Sequence, residues 1–195
     1  MKLILIRHGM TPANENRLYC GSSDIGLSEN GIAQLKRMKE ESAYPEPDGM
    51  LIVTSGMLRC EETLRILYGD IDHETDADLR EMDFGDFELR SYEELKSDPD
   101  YMKWLEGDNE SNIAPNGESG RSMSERAARA LSRLIADDRD ALVITHGGVI
   151  AAIMALLFPE ENKSRYDRQP SFGGGYSVEL LSGKPRRYEA IPHNQ

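Results

Sequence analysis

The sequence predicts an α/β fold: a three-layer α/β/α sandwich around a mostly parallel central sheet, with a C-terminal hairpin. Three observations lead there. Short apolar runs without polar alternation, at 3–6, 50–53 and 141–144, have the character of strands covered on both faces. Helical patterns separate these runs, and strands alternating with helices imply a parallel sheet flanked on both sides. The chain then changes character: strand-like stretches at 176–181 and 186–191 flank Ser182-Gly183-Lys184-Pro185, which reads as a hairpin added to the sheet.

The elements follow in chain order. After the first strand, Ser28 can cap a helix carrying Ile32, Leu35 and Met38. A second helix is expected over 57–67, with Leu58, Leu64 and Leu67 among its apolar positions. Residues 70–116 are acidic, turn-rich and only patchily periodic; they are expected to form a long excursion over the top of the sheet, with a short helix at 92–96. Ser122 and Glu125 have capping-box spacing, and Met123, Ala127, Ala130, Leu131, Leu134 and Ile135 then fall on one helical face. The apolar run at 149–158 is half a membrane span and ends at Pro159, so a buried element is expected. No repeat or internal boundary is evident, and 1–195 is read as one domain.

Composition narrows the function. Hydrophobic residues make up 38% and charged residues 30% of the chain, a globular balance. A net charge of −12 disfavours nucleic acid and anionic membrane as partners, because their phosphates repel an acidic surface. Two cysteines, Cys20 and Cys60, are too few for a secreted disulfide framework, and the apolar start at 3–6 is too short for a signal-peptide core. A cytoplasmic protein is expected.

Each apolar strand runs into a polar signature and then a helix. Arg7-His8-Gly9 follows the first, Thr54-Ser55-Gly56 with Arg59 the second, and Thr145-His146-Gly147-Gly148 the third. The carboxyl ends of parallel strands form the crevice where ligands bind, so residues distant in sequence have a geometric reason to meet. Glycine lets backbone N–H groups approach an anion closely, and a helix start adds a favourable dipole. Two histidines and two arginines converging there make a cup for a phosphoryl group, since arginine's planar fork bonds phosphate oxygens in pairs. A neutral histidine can attack phosphorus without first losing a proton, which makes His8 a candidate nucleophile. His146 and the arginines would stabilise and align the transferred group, and an acid for the leaving alcohol is expected from the excursion.

Other motifs carry less. His73 and His193 are expected at the surface, and the cysteines have no arginine at the spacing of a cysteine-phosphatase loop. Asp70-Ile71-Asp72 follows a helix-like segment and lacks the rest of an aspartate-phosphatase motif. No glycine-rich loop ends in Lys-Ser or Lys-Thr, and Gly173-Gly174-Gly175 reads as a bend into a strand.

The blocks together carry a resemblance. Residues 5–11 (Leu-Ile-Arg-His-Gly-Met-Thr), then Asn14, Gly21, Asp24, Leu27-Ser28 and Gly31, resemble the opening signature of the histidine phosphatase superfamily, the phosphoglycerate mutase-like proteins. Ser55, Leu58-Arg59 and Thr63 are similar to its second arginine block, Leu79 to Met82 and Phe84 to Glu88 to its acid-bearing segment, and Thr145-His146-Gly147-Gly148 to its second histidine. Pro115, Gly117-Glu118-Ser119 and Arg126 resemble its later helix. Met10 departs from the usual Glu and Phe87 from a common Trp; both bear on the rim.

The resemblance implies a phosphoglycerate mutase-like fold and a phosphohistidine at His8. Arg7, Arg59 and His146 would complete the cup, with Glu81 as proton donor. It also implies phosphate contacts from Asn14, Thr11, Gly21 and the Gly147 amide, with no metal or cofactor. Three functions remain open: a phosphomonoesterase acting on a small-molecule phosphate ester, a mutase returning the phosphoryl group to another hydroxyl, and a non-catalytic phosphate-binding module. Residues 82–101 hold seven acidic and two basic residues, a rim that disfavours a multiply charged substrate and favours the phosphatase. Leu18 to Gly21, Glu81-Met82 with Phe84 to Asp86, and Pro115 to Glu118 are further similar to the α-ribazole phosphatase branch, which points to a nucleoside phosphate.

Overall fold

The computed structural model describes residues 1–107 and 110–194, with the side chains of Ala43, His193 and Asn194 left out; the expected surface position of the His193 side chain therefore lies outside the described residues. The chain forms β1 (Lys2–Arg7), α1 (Pro12–Glu15), α2 (Glu29–Glu41), β2 (Ser42–Ala43), β3 (Leu51–Thr54), α3 (Leu58–Tyr68) and β4 (Glu74–Thr75). Two 3₁₀ turns (Ala77–Leu79 and Gly85–Phe87), α4 (Tyr92–Leu95) and α5 (Pro99–Leu105) follow in the excursion. Then come α6 (Gly120–Asp137), β5 (Ala141–Thr145), α7 (Gly147–Leu157), β6 (Gly175–Leu181), β7 (Lys184–Ile191) and β8 (His193–Asn194).

The main sheet has the order β4-β3-β5-β1-β6-β7. The first four strands in that order run parallel, and the β6–β7 hairpin is antiparallel. Strand alternation sends Leu3 and Leu5 into a core shared with α6 and α7, while Ile4 and Ile6 enter the opposite core with α2 and α3. Both faces are dry, which is why the runs are continuously apolar and the architecture is three-layered.

Four local expectations need correction. Helix α6 begins at Gly120, because Ser119, not Ser122, is its cap: the Ser119 hydroxyl accepts from the Ser122 amide at 3.1 Å and the Ser122 hydroxyl accepts from the Ser119 amide at 3.3 Å. The hairpin turn is only Ser182-Gly183, with φ of 51° and 73°, so Lys184 and Pro185 already pair in β7. The excursion adds a strand, β4, to the sheet edge. It also contains α5, started by Asp98 as cap with Pro99 behind it. Acidic as it is, the excursion buries Leu79, Met82, Phe87, Leu95, Tyr101, Trp104 and Ala114 in the α6–α7 core. Among the described residues no helix is long and apolar enough to cross a membrane.

Candidate active site

Sheet register brings the two histidines together. Strands β1 and β5 pair Arg7 with Thr145, so the next residues, His8 and His146, leave adjacent strand ends side by side. Their rings meet edge to face, with centroids 5.0 Å apart. Both are buried, at 5% and 0% exposure, and so is Arg59 at 1%, delivered from the first turn of α3 beyond β3.

A backbone carbonyl settles the state of His8. Its Nδ1 lies 2.6 Å from the Gly9 oxygen, and a carbonyl only accepts, so Nδ1 carries the hydrogen and Nε2 keeps its lone pair. Burial, then the Arg59 and Arg7 charges, hold the ring's pKa well below its ordinary 6.5, so the ring is neutral at pH 7. His146 is lowered likewise, by burial first and then by His8 and Arg59. Its Nδ1 accepts from Arg59 Nε at 3.2 Å, so its Nε2–H faces the Ser55 hydroxyl at 2.9 Å.

The Arg7 guanidinium lies over the Phe172 ring, 3.9 Å from its centroid. It donates from Nη1 to Pro170 O at 2.9 Å, while its Nε is buried with no partner, an orphan donor of the kind an anion satisfies. Glu81 stands at the N-terminus of α7: Oε2 accepts from the Gly148 amide at 2.9 Å and Oε1 from the Met82 amide at 3.0 Å. A Cβ on Gly148 would lie 2.4 Å from Glu81 Oε1, so only glycine admits the carboxylate this close. Gly147 opens the same helix beside Arg7. Arg126, from α6, holds the backbone of the acid segment: it donates to the carbonyls of Asp78 (3.0 Å), Arg80 and Glu81 (2.8 Å) and pairs with Glu118.

The remaining expected contacts sit differently. The Thr11 hydroxyl and amide are both committed to Asn14 Oδ1, at 2.9 and 3.0 Å, so Thr11 orients Asn14 and leaves the Asn14 Nδ2 uncommitted among the described residues. Gly21 does not offer its amide to the cup: that N–H goes to Glu88, and its carbonyl accepts from Arg59 Nη2 at 2.7 Å. Its missing Cβ makes room for Met82 O, 1.6 Å from where that carbon would stand. Cys60 lies 3.6 Å from His146 Nε2, but burial pushes its thiol up to about 12, which leaves it inert. His73 is exposed, as expected.

Beside the cup, and sharing Glu81 and Gly148 with it, opens a pocket of about 330 Å³. Tyr19, Phe84 and Trp104 form an aromatic wall, and Glu110, Arg165 and Tyr166 line the pocket with them. Apart from Tyr19 and Phe84, which lie in the motifs, these residues were not legible as a group, since Trp104 comes from α5 and Glu110, Arg165 and Tyr166 from distant, irregular segments.

Residues 3–186 match the family model of the histidine phosphatase superfamily (branch 1). The chain belongs to that superfamily. It is an enzyme of the histidine phosphatase type, with the phosphoglycerate mutase-like fold. The chain is 31% identical to the adenosylcobalamin/alpha-ribazole phosphatase of Salmonella typhimurium, over 94% of this chain and 92% of that protein. Among solved structures, the alpha-ribazole phosphatase of Shigella flexneri superposes with a TM-score of 0.81 at 26% identity, covering 100% and 96% of the two chains. A phosphoglycerate mutase from Thermus thermophilus gives 0.72 at 29% identity, covering 98% and 99%.

Proposed function

We propose that this histidine phosphatase hydrolyses small phosphate monoesters through a phosphohistidine at His8, with the whole chain acting as one cytoplasmic catalytic domain. The observation that carries the reading is the Gly9 carbonyl on His8 Nδ1, which leaves a neutral Nε2 lone pair in a buried cationic cup. Nε2 attacks phosphorus as the ester P–O bond breaks, and protonated Glu81 gives its proton to the leaving alkoxide. In the second half, the Glu81 carboxylate takes a proton from water while that water's oxygen attacks the phosphohistidine; inorganic phosphate leaves and the His8 lone pair returns. Arg7, Arg59 and the Asn14 amide hold the phosphoryl oxygens, the Gly147 amide faces them from the α7 terminus, and His146, with Nδ1 on Arg59 Nε and Nε2 on the Ser55 hydroxyl, stabilises charge on them by holding Arg59 in place.

Hydrolysis is favoured over mutase transfer by the acidic rim at 82–101, which repels a phosphorylated sugar acid, as well as by the phosphatase names of the relatives. A nucleoside phosphate such as α-ribazole phosphate is the proposed substrate, supported by those names and by the aromatic pocket wall. The test is a quench with ³²P-labelled ester. Acid-labile, alkali-stable label is expected on His8, absent in His8→Ala together with turnover. Near-normal turnover of His8→Ala, or label on another residue, overturns the assignment. A panel including α-ribazole phosphate and phosphoglycerates, scored for isomerised product, separates hydrolase from mutase.

A further inference from the structure

We infer that Glu88 is a positioning residue for Arg59, acting through a single peptide unit gripped at both ends. The inference rests on the reading that Arg59 binds the phosphoryl group. Glu88 lies in the excursion, outside the cup, and its carboxylate gathers backbone donors. Oε1 accepts from the amides of Gly21 (2.9 Å), Ser22 (2.9 Å) and Phe84 (3.0 Å), and Oε2 accepts from that of Ser23 (3.2 Å). The opposite side of the same loop faces α3. Gly21 O accepts from Arg59 Nη2 at 2.7 Å and Ser23 O from Arg59 Nη1 at 2.9 Å.

The peptide joining Gly21 to Ser22 therefore has its N–H on the carboxylate and its C=O on the guanidinium. Hydrogen bonds in such a chain polarise one another, so the anion strengthens the carbonyl's hold on the cation. The indirect arrangement also has a chemical reason. A carboxylate forked directly onto Arg59 would occupy the donors that phosphate needs and cancel the charge. Held through a peptide, Arg59 spends one N–H on each carbonyl and its Nε on His146, which leaves one N–H on each terminal nitrogen. The loop is pinned at both flanks: Ser22 Oγ donates to Asp83 at 2.7 Å, and Asp24 accepts from the Leu58 amide at 2.7 Å, one residue before Arg59. Residue 88 thus orients a cup residue it never touches.

The test is a double-mutant cycle on Glu88→Gln and Arg59→Ala, read by calorimetric affinity for inorganic phosphate and by kcat and KM on a chromogenic ester. Glutamine keeps the shape but replaces one acceptor with a donor that faces amides. Glu88→Gln is expected to weaken phosphate binding by about ten- to hundredfold, the worth of a charge-assisted hydrogen bond. In the Arg59→Ala background the same change is expected to shift phosphate affinity by less than about twofold. Equal losses in both backgrounds, or no loss in the first, overturn the inference. Asp86→Asn, which removes a charge from the same segment without touching the loop, is expected to leave phosphate affinity unchanged; a loss there matching that of Glu88→Gln also overturns it. If Glu88→Gln does not fold, Glu88→Asp takes its place in the cycle, with a smaller loss and the same dependence on Arg59. Arg59→Ala alone reads the premise: if it leaves phosphate affinity unchanged, the reading of Arg59 as a phosphate ligand fails, whereas a loss there with none in Glu88→Gln overturns only the inference.

Discussion

The cup and the pocket beside it are built by different means. His8, Arg59 and His146 sit at strand ends and on a helix start, at 5% exposure or less, with their orientations set by backbone carbonyls and by each other. The pocket's outer wall is made of side chains on irregular segments. Its one ion pair among the described residues, Arg165 to Glu110 at 2.9 Å, has exposures of 27% and 49%, and Tyr166 is 82% exposed. Under the proposed function, the difference teaches where substitutions should hurt: chemistry would be held by the sheet, and selection by surface side chains that can change without disturbing it.

The largest expected effect tests the rigid half. Arg59→Ala should lower kcat/KM by about 10³-fold or more, the scale on which an arginine stabilises a transferred phosphoryl group. If the arginine holds the phosphoryl oxygens, as proposed, the loss should be the same for good and poor leaving groups. A loss confined to poor leaving groups would put Arg59 on the wrong side of the reaction.

Glu81 stands at the junction of the two halves. Glu81→Gln should slow alkyl phosphates by about 10²–10⁴-fold, the usual worth of a general acid. Aryl esters, whose leaving groups need no proton, should lose far less. Parallel losses on both would mean that the carboxylate holds structure, through its bonds to the Gly148 and Met82 amides, and does not transfer a proton.

Burial of two neutral imidazoles should also appear in stability. Both folded-state values lie below the unfolded 6.5, so the unfolded chain takes up protons that the native chain refuses. Their contribution is full above pH 6.5 and is lost as pH falls from there toward the folded values. Within that window each histidine should cost about 1.4 kcal/mol per pH unit. Urea unfolding at pH 7 and pH 5 measures the slope. His8→Asn and His146→Asn should each flatten it, and unchanged slopes would mean that the imidazoles are hydrated in the native state.

These contrasts also explain what could be read from sequence. The cup was legible because each buried strand must be continuously apolar and then stop, so Arg7-His8 and Thr145-His146 mark their own places at the carboxyl ends of two central strands. The tautomer of His8 was not, since it depends on where one carbonyl points. Gly21 was placed on the phosphate by its motif, but its amide is claimed by Glu88, 67 residues away, and no spacing reveals such a partner. In the excursion, Tyr101 and Trp104 have i, i+3 spacing, but on a helix of only 7 residues among acidic ones and far from Phe87, so a buried aromatic cluster reads as a surface loop.

The smallest expected effects belong to the pocket's outer wall. Arg165 is the one cation lining the pocket among the described residues, against the carboxylates of Glu81 and Glu110. Its exposed pair with Glu110 contributes at most about 1 kcal/mol to stability, so either side chain can be replaced without unfolding the enzyme. Arg165→Met leaves the Glu110 carboxylate without its partner beside an anionic ester and should raise KM by about two- to fivefold. Glu110→Gln removes a repulsion and should lower KM by a similar factor. Both changes should leave kcat alone and shrink as ionic strength rises past the point where the screening length falls below the pocket's width. If instead Arg165→Met cut kcat with KM constant and salt had no effect, Arg165 would be acting on the transferring phosphoryl group. The division between a rigid chemical cup and a replaceable selective wall would then fail at that residue.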